Sequence, residues 1–292
     1  MTATPDESGH SGDSGDVVAV LGGGRIGEAL LGGLAAVIDP SRLHVVERDA
    51  ARAAALADRL GVGLLDAPDA ARRADVLVVA VKPADVVGVL EAVHDVLAGR
   101  APDADRPLVV SLAAGIPTAA LEARLPDATS VVRVMPNTPM LVGRAMCVLS
   151  AGRHAGEEEL AVAEALLSRV GRTVRVPEHQ QDAATALSGS GPAYLFLLAE
   201  AMIDAGVALG LPRPTATELV AATVDGAGGL LLAGGDDGGP GHPTMLREAV
   251  TSPGGTTAAA LRVLEAQGLR AATAAAVEAG RDASRALGAA SS

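Results

Sequence analysis

Residues 17–34 read VVAVLGGGRIGEALLGGL, and this stretch decides the fold. Val17 to Leu21 is an unbroken apolar run of strand length that stops at three glycines. A strand without polar alternation is buried on both faces, as in a parallel sheet covered by helices on each side. From Arg25 to Val37 the apolar residues Ile26, Leu30, Leu31 and Leu34 then recur at helical spacing. Between strand and helix, Gly22, Gly23, Gly24, Arg25, Ile26 and Gly27 spell G-x-G-x-x-G. In a chain with 35 glycines the pattern alone says little. Placed after a strand, opening a helix, and followed twenty residues past Gly27 by Glu47, it has the context of a dinucleotide-binding turn. Gly22 would permit the tight turn, Gly24 the approach of backbone to a pyrophosphate on the helix N-terminus, and Gly27 close packing of helix on sheet. The competing reading is a glycine-rich turn that holds no ligand.

The same alternation continues outward. Leu43 to Glu47, Ala74 to Val81, PLVVSLAAG (107–115), SVVRVMPNTP (130–139), Ala145 to Leu149 and RTVRV (172–176) read as strands. Helical patterns over 49–60, 84–97, 118–124 and 157–170 separate most of them. Alternating strands and helices with apolar strands predict an α/β fold, a doubly wound parallel sheet of Rossmann type. After Pro177 no convincing strand follows. Ala- and Leu-rich helices cover about 180–209 and 215–233, a flexible loop spans 233–243, and two or three helices run on to about 288. The expected organisation is a disordered tail at 1–15, a dinucleotide-binding domain at 16–176, and an all-helical domain at 177–292.

Composition removes several classes of function. Apolar residues make up 49% of the chain, yet it holds one Phe, one Tyr and no Trp, so the core is built of Ala, Val and Leu. Twenty-three basic against 35 acidic residues give a net charge of −12, which offers no surplus to neutralise nucleic acid or an anionic membrane. The single Cys147, in AMCVL, excludes an internal disulfide and reads as a buried thiol. The six histidines show no metal-ligand spacing, and Glu157, Glu158 and Glu159 suit the start of an exposed helix. The N-terminal residues lack the basic and apolar regions of a signal peptide, and no stretch of 18 charge-free apolar residues occurs, so a cytoplasmic protein is expected.

Two sites carry chemistry. Glu47 at the end of the second strand would accept a hydrogen bond from a ribose 2′-hydroxyl, favouring NADH, whereas Arg48 beside it, with Arg52 one turn on, would suit the 2′-phosphate of NADPH. Solvated arginines on a helix face are an equally good account of that pair. Because biosynthetic reductions draw on NADPH, NADPH is the expected donor, with NADH the alternative. In TSPGGTT (251–257), two glycines free the backbone to turn N–H groups inward as an anion-binding nest. The bland reading makes Thr256 or Thr257 the N-cap of the helix that follows. Glu178, at the expected domain junction, is a further candidate to face a substrate.

With the glycine loop, VAVKP (79–83), MPNTP (135–139), SGSGPAY (188–194) and TSPGGTT in this order, the chain resembles pyrroline-5-carboxylate reductase over residues 17–287. The resemblance implies reduction of (S)-1-pyrroline-5-carboxylate to L-proline, the last step of proline biosynthesis, by hydride from NAD(P)H. It implies that Ala80, Val81, Lys82 and Pro83 line the cofactor and that Ala113, Ala114 and Asn137 approach its nicotinamide end. It also implies that backbone N–H groups of Gly255, Thr256 and Thr257 grip the substrate carboxylate while the Thr257 hydroxyl, the one catalytic side chain, reaches the ring nitrogen. The family often carries Ala or Val where this chain has Thr256. A homodimer through the helical domain is implied as well, in some members within a ring of dimers. A related imine or β-hydroxyacid reductase, or a silent nucleotide-binding regulator, are the competing functions. The former relies on a lysine in the helical domain, and Lys82 is the only lysine here.

Overall fold

The computed structural model describes residues 15–100, 106–234 and 241–290. The tail expected over 1–15 lies, but for its last residue, outside the described residues, as does the middle of the loop at 233–243. Contacts divide the chain into two compact units, one running to Gly189 and resuming at Gly280, the other spanning Ser190–Ala279.

The first unit is built on an eight-stranded sheet of order β3-β2-β1-β4-β5-β6-β7-β8. Its strands are β1 (Val18–Leu21), β2 (Leu43–Val46), β3 (Gly63–Leu64), β4 (Val76–Val79), β5 (Leu108–Ser111), β6 (Val131–Met135), β7 (Ala145–Ala151) and β8 (Gly171–Arg175). β1 pairs in parallel with β2 on one side and β4 on the other, so the strand order reverses between β1 and β4. Burial explains why β1 shows no alternation. Val18 and Val20 pack with Leu30, Leu31 and Leu34 of α1 (Arg25–Ala35) and with Leu56 of α2 (Ala50–Leu60). Ala19 and Leu21 join, on the opposite face, Ala70 and Ala71 of α3 (Ala67–Arg73) and Leu90, Val93 and Leu97 of α4 (Val86–Ala98). A polar residue at any of the four positions would be desolvated. Helices α5 (Thr118–Glu122) and α6 (Glu157–Leu167) complete the two layers. Cys147 is buried, and burial pushes its thiol up to about 12, which suits packing rather than nucleophilic chemistry.

Three features go beyond the sequence reading. The two-residue β3 is too short to leave a pattern, and α3 behind it is signalled only by Asp66, whose carboxylate caps the Asp69 N–H. β7 runs antiparallel to β6 in an otherwise parallel sheet. Only residues 136–144 join them, occupied by a 3₁₀ turn over Thr138–Val142, and a parallel return needs a crossover of a dozen residues or more. The helix expected over 180–209 is broken. A short α7 (Gln181–Ala184) passes into a π-helical turn, Thr185–Gly189, before α8 (Gly191–Ala208) begins with Pro192 in its first turn.

α7 is fastened to the sheet from inside. Gln181 is fully buried and its Nε2 donates to the Val148 carbonyl (3.1 Å) and Ser150 Oγ (2.8 Å). One turn earlier, Glu178 pairs with the buried Arg133 of β6 at 3.1 Å. Its carboxylate also accepts the Thr118 N–H (2.7 Å) and the Thr118 hydroxyl.

The second unit holds α8, α9 (Arg213–Leu232), α10 (Pro243–Ala249), α11 (Thr256–Ala266) and the first part of α12 (Leu269–Ala290). Not one residue of α8 is buried; Phe196 and Leu197 are 67% and 69% exposed. Among the described residues one helical stretch, Glu178–Ala208, is long and apolar enough to cross a membrane by length and composition, although Asp182 and Glu200 leave it no run of 18 residues free of charge.

Two stability predictions follow from the first unit. Replacing Glu178 with Ala strands Arg133 in a site where its side chain is 6% exposed. Breaking such a pair costs about 3–5 kcal/mol, and the 30% exposure of Glu178 places this one near the lower end. Thermal denaturation should show the loss, which Arg133→Met in the same chain should largely restore. His44, on β2, has a buried Nδ1 with no partner among the described residues. Burial, helped by Arg73, holds its pKa below the ordinary 6.5. The folded chain therefore resists a proton that the unfolded chain accepts, and stability is lost as pH falls from above 6.5. Melting curves between pH 7.5 and 5.5 should fall more steeply for the native protein than for His44→Phe.

Candidate functional site

The carboxyl ends of the parallel strands meet along one edge, and the sequence-derived residues fall on it in strand order. Glu47 and Arg48 follow β2, Gly22 to Gly27 follow β1, and Ala80 to Pro83 follow β4. Ala113 and Ala114 come after β5, and Asn137 after β6. Open α/β sheets bind ligands outside such an edge, at the point where the strand order reverses. A cleft of about 800 Å³ lies there, between the ends of β1, β2 and β4. Gly22, Gly24, Glu47, Arg48, Ala80, Val81 and Lys82 line it, and so do Arg52, Asp66 and Asp85. Gly23, Arg25, Ile26, Gly27, Pro83, Ala113, Ala114 and Asn137 do not line this cleft.

The glycine turn is shaped by its own backbone. Gly22 has φ +113°, and a side chain there would strike Val81 and the Ala80 carbonyl. A Cβ at Gly27 would stand 2.0 Å from the Gly22 carbonyl oxygen, so only glycine lets α1 leave the sheet at this angle. Gly24 meets open space, and as the N-cap of α1 it offers no side chain to the first-turn N–H groups. An uncapped helix start facing an open cleft fits a pyrophosphate.

Glu47 is held from three directions. Its Oε2 accepts the Gly23 N–H (3.0 Å) and faces Arg52 Nη1 (3.4 Å), and its Oε1 accepts the Asp49 N–H (2.9 Å). Burial raises its pKa, but the N–H groups of Asp49 and Gly23 with the Arg52 guanidinium outweigh that and keep the carboxyl below its ordinary value. Arg48 reaches across the cleft to Asp85, Nη2 to Oδ1 2.8 Å. Neither Asp85 nor Asp66 stands out in sequence. Asp66 has a signal, Asp before Ala-Pro at a helix start; Asp85 has none.

Asn137 spends its carboxamide within the protein. Oδ1 accepts the Met146 N–H (2.9 Å) and Nδ2 donates to the Ser188 carbonyl (3.0 Å), tying the MPNTP loop to β7 and to the π-helical turn. Glu178, occupied by Arg133 and Thr118, is likewise scaffold.

In the second unit, the N-cap of α11 is Gly255, so neither Thr256 nor Thr257 caps the helix. The turn before it closes through the Gly255 N–H on the Ser252 carbonyl (3.1 Å) and the Thr251 hydroxyl on the Arg247 carbonyl (2.6 Å). Thr256 is exposed and Thr257 half-buried. Gly255 again leaves the first N–H groups of a helix without a side-chain cap. Among the described residues no cluster of His, Cys, Asp or Glu has metal-site geometry.

Comparisons with known proteins agree with one another. Residues 178–287 match the family model described as pyrroline-5-carboxylate reductase dimerisation, and residues 17–115 one described as NADP oxidoreductase, coenzyme F420-dependent. A pyrroline-5-carboxylate reductase of Corynebacterium melassecola is 45% identical over 93% of this chain and 98% of its own length. One from Mycobacterium tuberculosis is 46% identical over 92% of this chain and 96% of its own. Among solved structures, a pyrroline-5-carboxylate reductase of Coxiella burnetii superposes with a TM-score of 0.86 at 36% identity, covering 93% of this chain and 98% of that one. The Plasmodium falciparum pyrroline carboxylate reductase solved with NADP bound gives 0.78 at 28%, covering 94% and 98%. Similarity of this extent over both units, with the glycine turn and the TSPGGTT loop in place, means that the chain belongs to the pyrroline-5-carboxylate reductase family.

Proposed function

We propose that this protein reduces (S)-1-pyrroline-5-carboxylate to L-proline with NAD(P)H, the last step of proline biosynthesis in the cytoplasm. The observation that carries this reading is the pairing, in one chain of this family, of a dinucleotide turn with an uncapped, glycine-led helix start at TSPGGTT. Bound NAD(P)H supplies the hydride. The protein binds, orients and supplies the electrostatics.

In this reading the first-turn N–H groups of α1, with Gly22 to Gly27, hold the pyrophosphate. Glu47 and Arg48 face the adenosine ribose, and Ala80, Val81, Lys82 and Pro83 flank the dinucleotide. Ala113 and Ala114 stand at the nicotinamide end, and Asn137 acts there as a brace, since its side chain is spent on Met146 and Ser188. The N–H groups of Thr256 and Thr257 take the substrate carboxylate; the Gly255 N–H, expected to join them, closes instead on the Ser252 carbonyl and shapes the turn. The Thr257 hydroxyl bonds the ring nitrogen and stays with it as the imine becomes an amine. A protonated imine accepts hydride readily, so no strong acid is required of the protein. We place the dinucleotide-binding domain at 16–176 and the substrate-binding, dimerising domain at 177–292.

We also infer a homodimer, the unit from which some members build rings. α8 presents Leu195, Phe196, Leu197 and Leu198 to solvent, and a groove of about 740 Å³ between α11 and α12 adds Leu261, Leu264 and Val277. Apolar surface of this extent marks an interface. With the match to a dimerisation family over the same helices, the occupant of α8 is a second copy rather than lipid. Neither nucleic acid nor membrane is a partner in this reading.

The primary assay is oxidation of NADPH and NADH by the purified protein with pyrroline-5-carboxylate; no turnover with either would sink the proposal. Thr257→Ala keeps the backbone nest and removes one hydroxyl. A hydrogen bond worth about 1.4–3 kcal/mol with a charged partner corresponds to a loss of roughly ten- to a hundredfold in kcat/KM. Thr256→Ala should be nearly silent, because only its backbone is used. Full efficiency in a folded Thr257→Ala protein would remove Thr257 from the site. Light scattering at micromolar concentration should give a dimer or a multiple of one, and a monomer would refute the interface.

A further inference from the structure

The last helix ends on the turn that follows β5. α12 begins among the helices of the second unit, and its residues from Gly280 onward belong to the sheet unit. Ser284 is buried there, and its Oγ donates to Asp182 Oδ1 of α7 at 2.7 Å. Arg285 Nε stands 3.8 Å from Asp182 Oδ2. One turn on, Gly288 lies against Gly115. A Cβ at Gly288 would stand 3.1 Å from the Gly115 carbonyl oxygen, and one at Gly115 would stand 3.5 Å from Leu287 Cβ. A side chain at Gly288 could therefore enter only by pushing the turn. Gly115, at φ +77°, closes the turn made with Ala113 and Ala114. None of the three carries more than a methyl group, so the turn has little of its own with which to brace itself. Ala114 is exposed, whereas Gly115 is buried with the end of α12 across it. On its other side the turn leads into α5, whose first residue, Thr118, gives its N–H to Glu178, four residues before Asp182.

Resting on the reading that Ala113 and Ala114 stand at the nicotinamide end, we propose that the end of α12 positions this turn for hydride transfer, with Ser284 and Gly288 as its positioning residues. Both act through the turn rather than by contact with the cofactor. The Ser284–Asp182 bond sets how α12 lies on α7, and Gly288 then backs the turn from behind, so that Ala114 meets the nicotinamide ring at a fixed depth. A small displacement of the ring costs reactivity far more than affinity, because the rest of the dinucleotide still holds the molecule in the glycine cleft. The mark of the role is a fall in kcat that leaves the adenosine and pyrophosphate half of the site untouched.

The test compares full-length Gly288→Val and Ser284→Ala with Ala286→Gln, a control at an exposed position of the same helix. With NADPH and pyrroline-5-carboxylate, kcat should fall roughly tenfold in Gly288→Val and roughly threefold in Ser284→Ala. The fluorescence of bound NADPH, which comes from its nicotinamide, should change in both. Calorimetry with 2′-phospho-ADP-ribose, which lacks the nicotinamide, should give dissociation constants within about twofold of native. Ala286→Gln should alter none of these. If Ser284 acts through Asp182, the double variant with Asp182→Ala should cost no more than Asp182→Ala alone. Native kcat in folded Gly288→Val and Ser284→Ala overturns the proposal. Loss of 2′-phospho-ADP-ribose binding in step with kcat overturns it equally, because α12 would then be scaffold for the whole domain. Should Gly288→Val not fold, Gly288→Ala takes its place with the same readings. Ala114→Leu separates this proposal from the reading beneath it, since it should weaken NADPH and spare 2′-phospho-ADP-ribose. No effect on either places the turn away from the nicotinamide and refutes both. An effect of Ala114→Leu with none of Gly288→Val or Ser284→Ala refutes only the positioning role.

Discussion

The approach of α1 to the end of β1 is the constraint on which the rest depends. The Gly22 carbonyl and the α-carbon of Gly27 are so close that a single methyl group would stand 2.0 Å from the oxygen. That contact fixes the direction in which α1 leaves the sheet. The direction of α1 in turn aims its uncapped N–H groups over the carboxyl edge, and lets Leu30, Leu31 and Leu34 seat against Val18 and Val20. Overpacking by one carbon in a close-packed core costs roughly 1–3 kcal/mol. Here it would also tilt the anion site. Core packing and ligand binding are one geometric condition, which is why a glycine stands in the first turn of α1.

The helical unit follows another rule. Its helices are rich in Ala and Leu, yet no residue of α8 is fully buried within the chain. A helix apolar on all sides is stable in water only when something covers it. The match to a dimerisation family over these helices fits that need, with assembly supplying the cover that α8 lacks within the chain. The sheet unit hides its strands on both faces and has no such need.

Much of this was legible in the sequence, and for identifiable reasons. Val17 to Leu21 showed itself as a doubly buried strand because burial on two faces abolishes alternation, and the helix from Arg25 showed its 3.6-residue period because one stripe of it is buried. β3 and α3 were missed because two residues carry no period and a seven-residue helix very little. The antiparallel turn of β7 was written only in a connection length. In the candidate site, Gly22 to Gly27 and the TSPGGTT loop could be found because the roles proposed for them run through backbone and so demand glycine. Asp85 could not, because its role is fixed by a partner 37 positions away, Arg48, and no local pattern encodes that. Glu47 was visible as a residue, but its commitment to Gly23 and Asp49 was not.

A composition with one Phe, one Tyr, no Trp and a single Lys looks poorly equipped for an enzyme. The two proposed sites would explain how it suffices. At α1 and again at α11 the donors proposed to meet anions are main-chain N–H groups led by a glycine, Gly24 or Gly255. Main-chain donors need no particular side chain and lose no rotamer entropy on binding. Their cost is the missing cap, about 1 kcal/mol per helix relative to Ser, Asp or Asn for alanine and a few tenths for glycine. Glycine is thus the cheapest residue with which to leave a helix start open. α2 and α3, beside the same cleft, begin on Asp49 and Asp66, which close theirs. When the reducing equivalent arrives with the cofactor and the substrate carries its own charge, a protein needs little more than two open helix ends and one hydroxyl. A chain drawn mainly from Ala, Gly, Val and Leu can supply those.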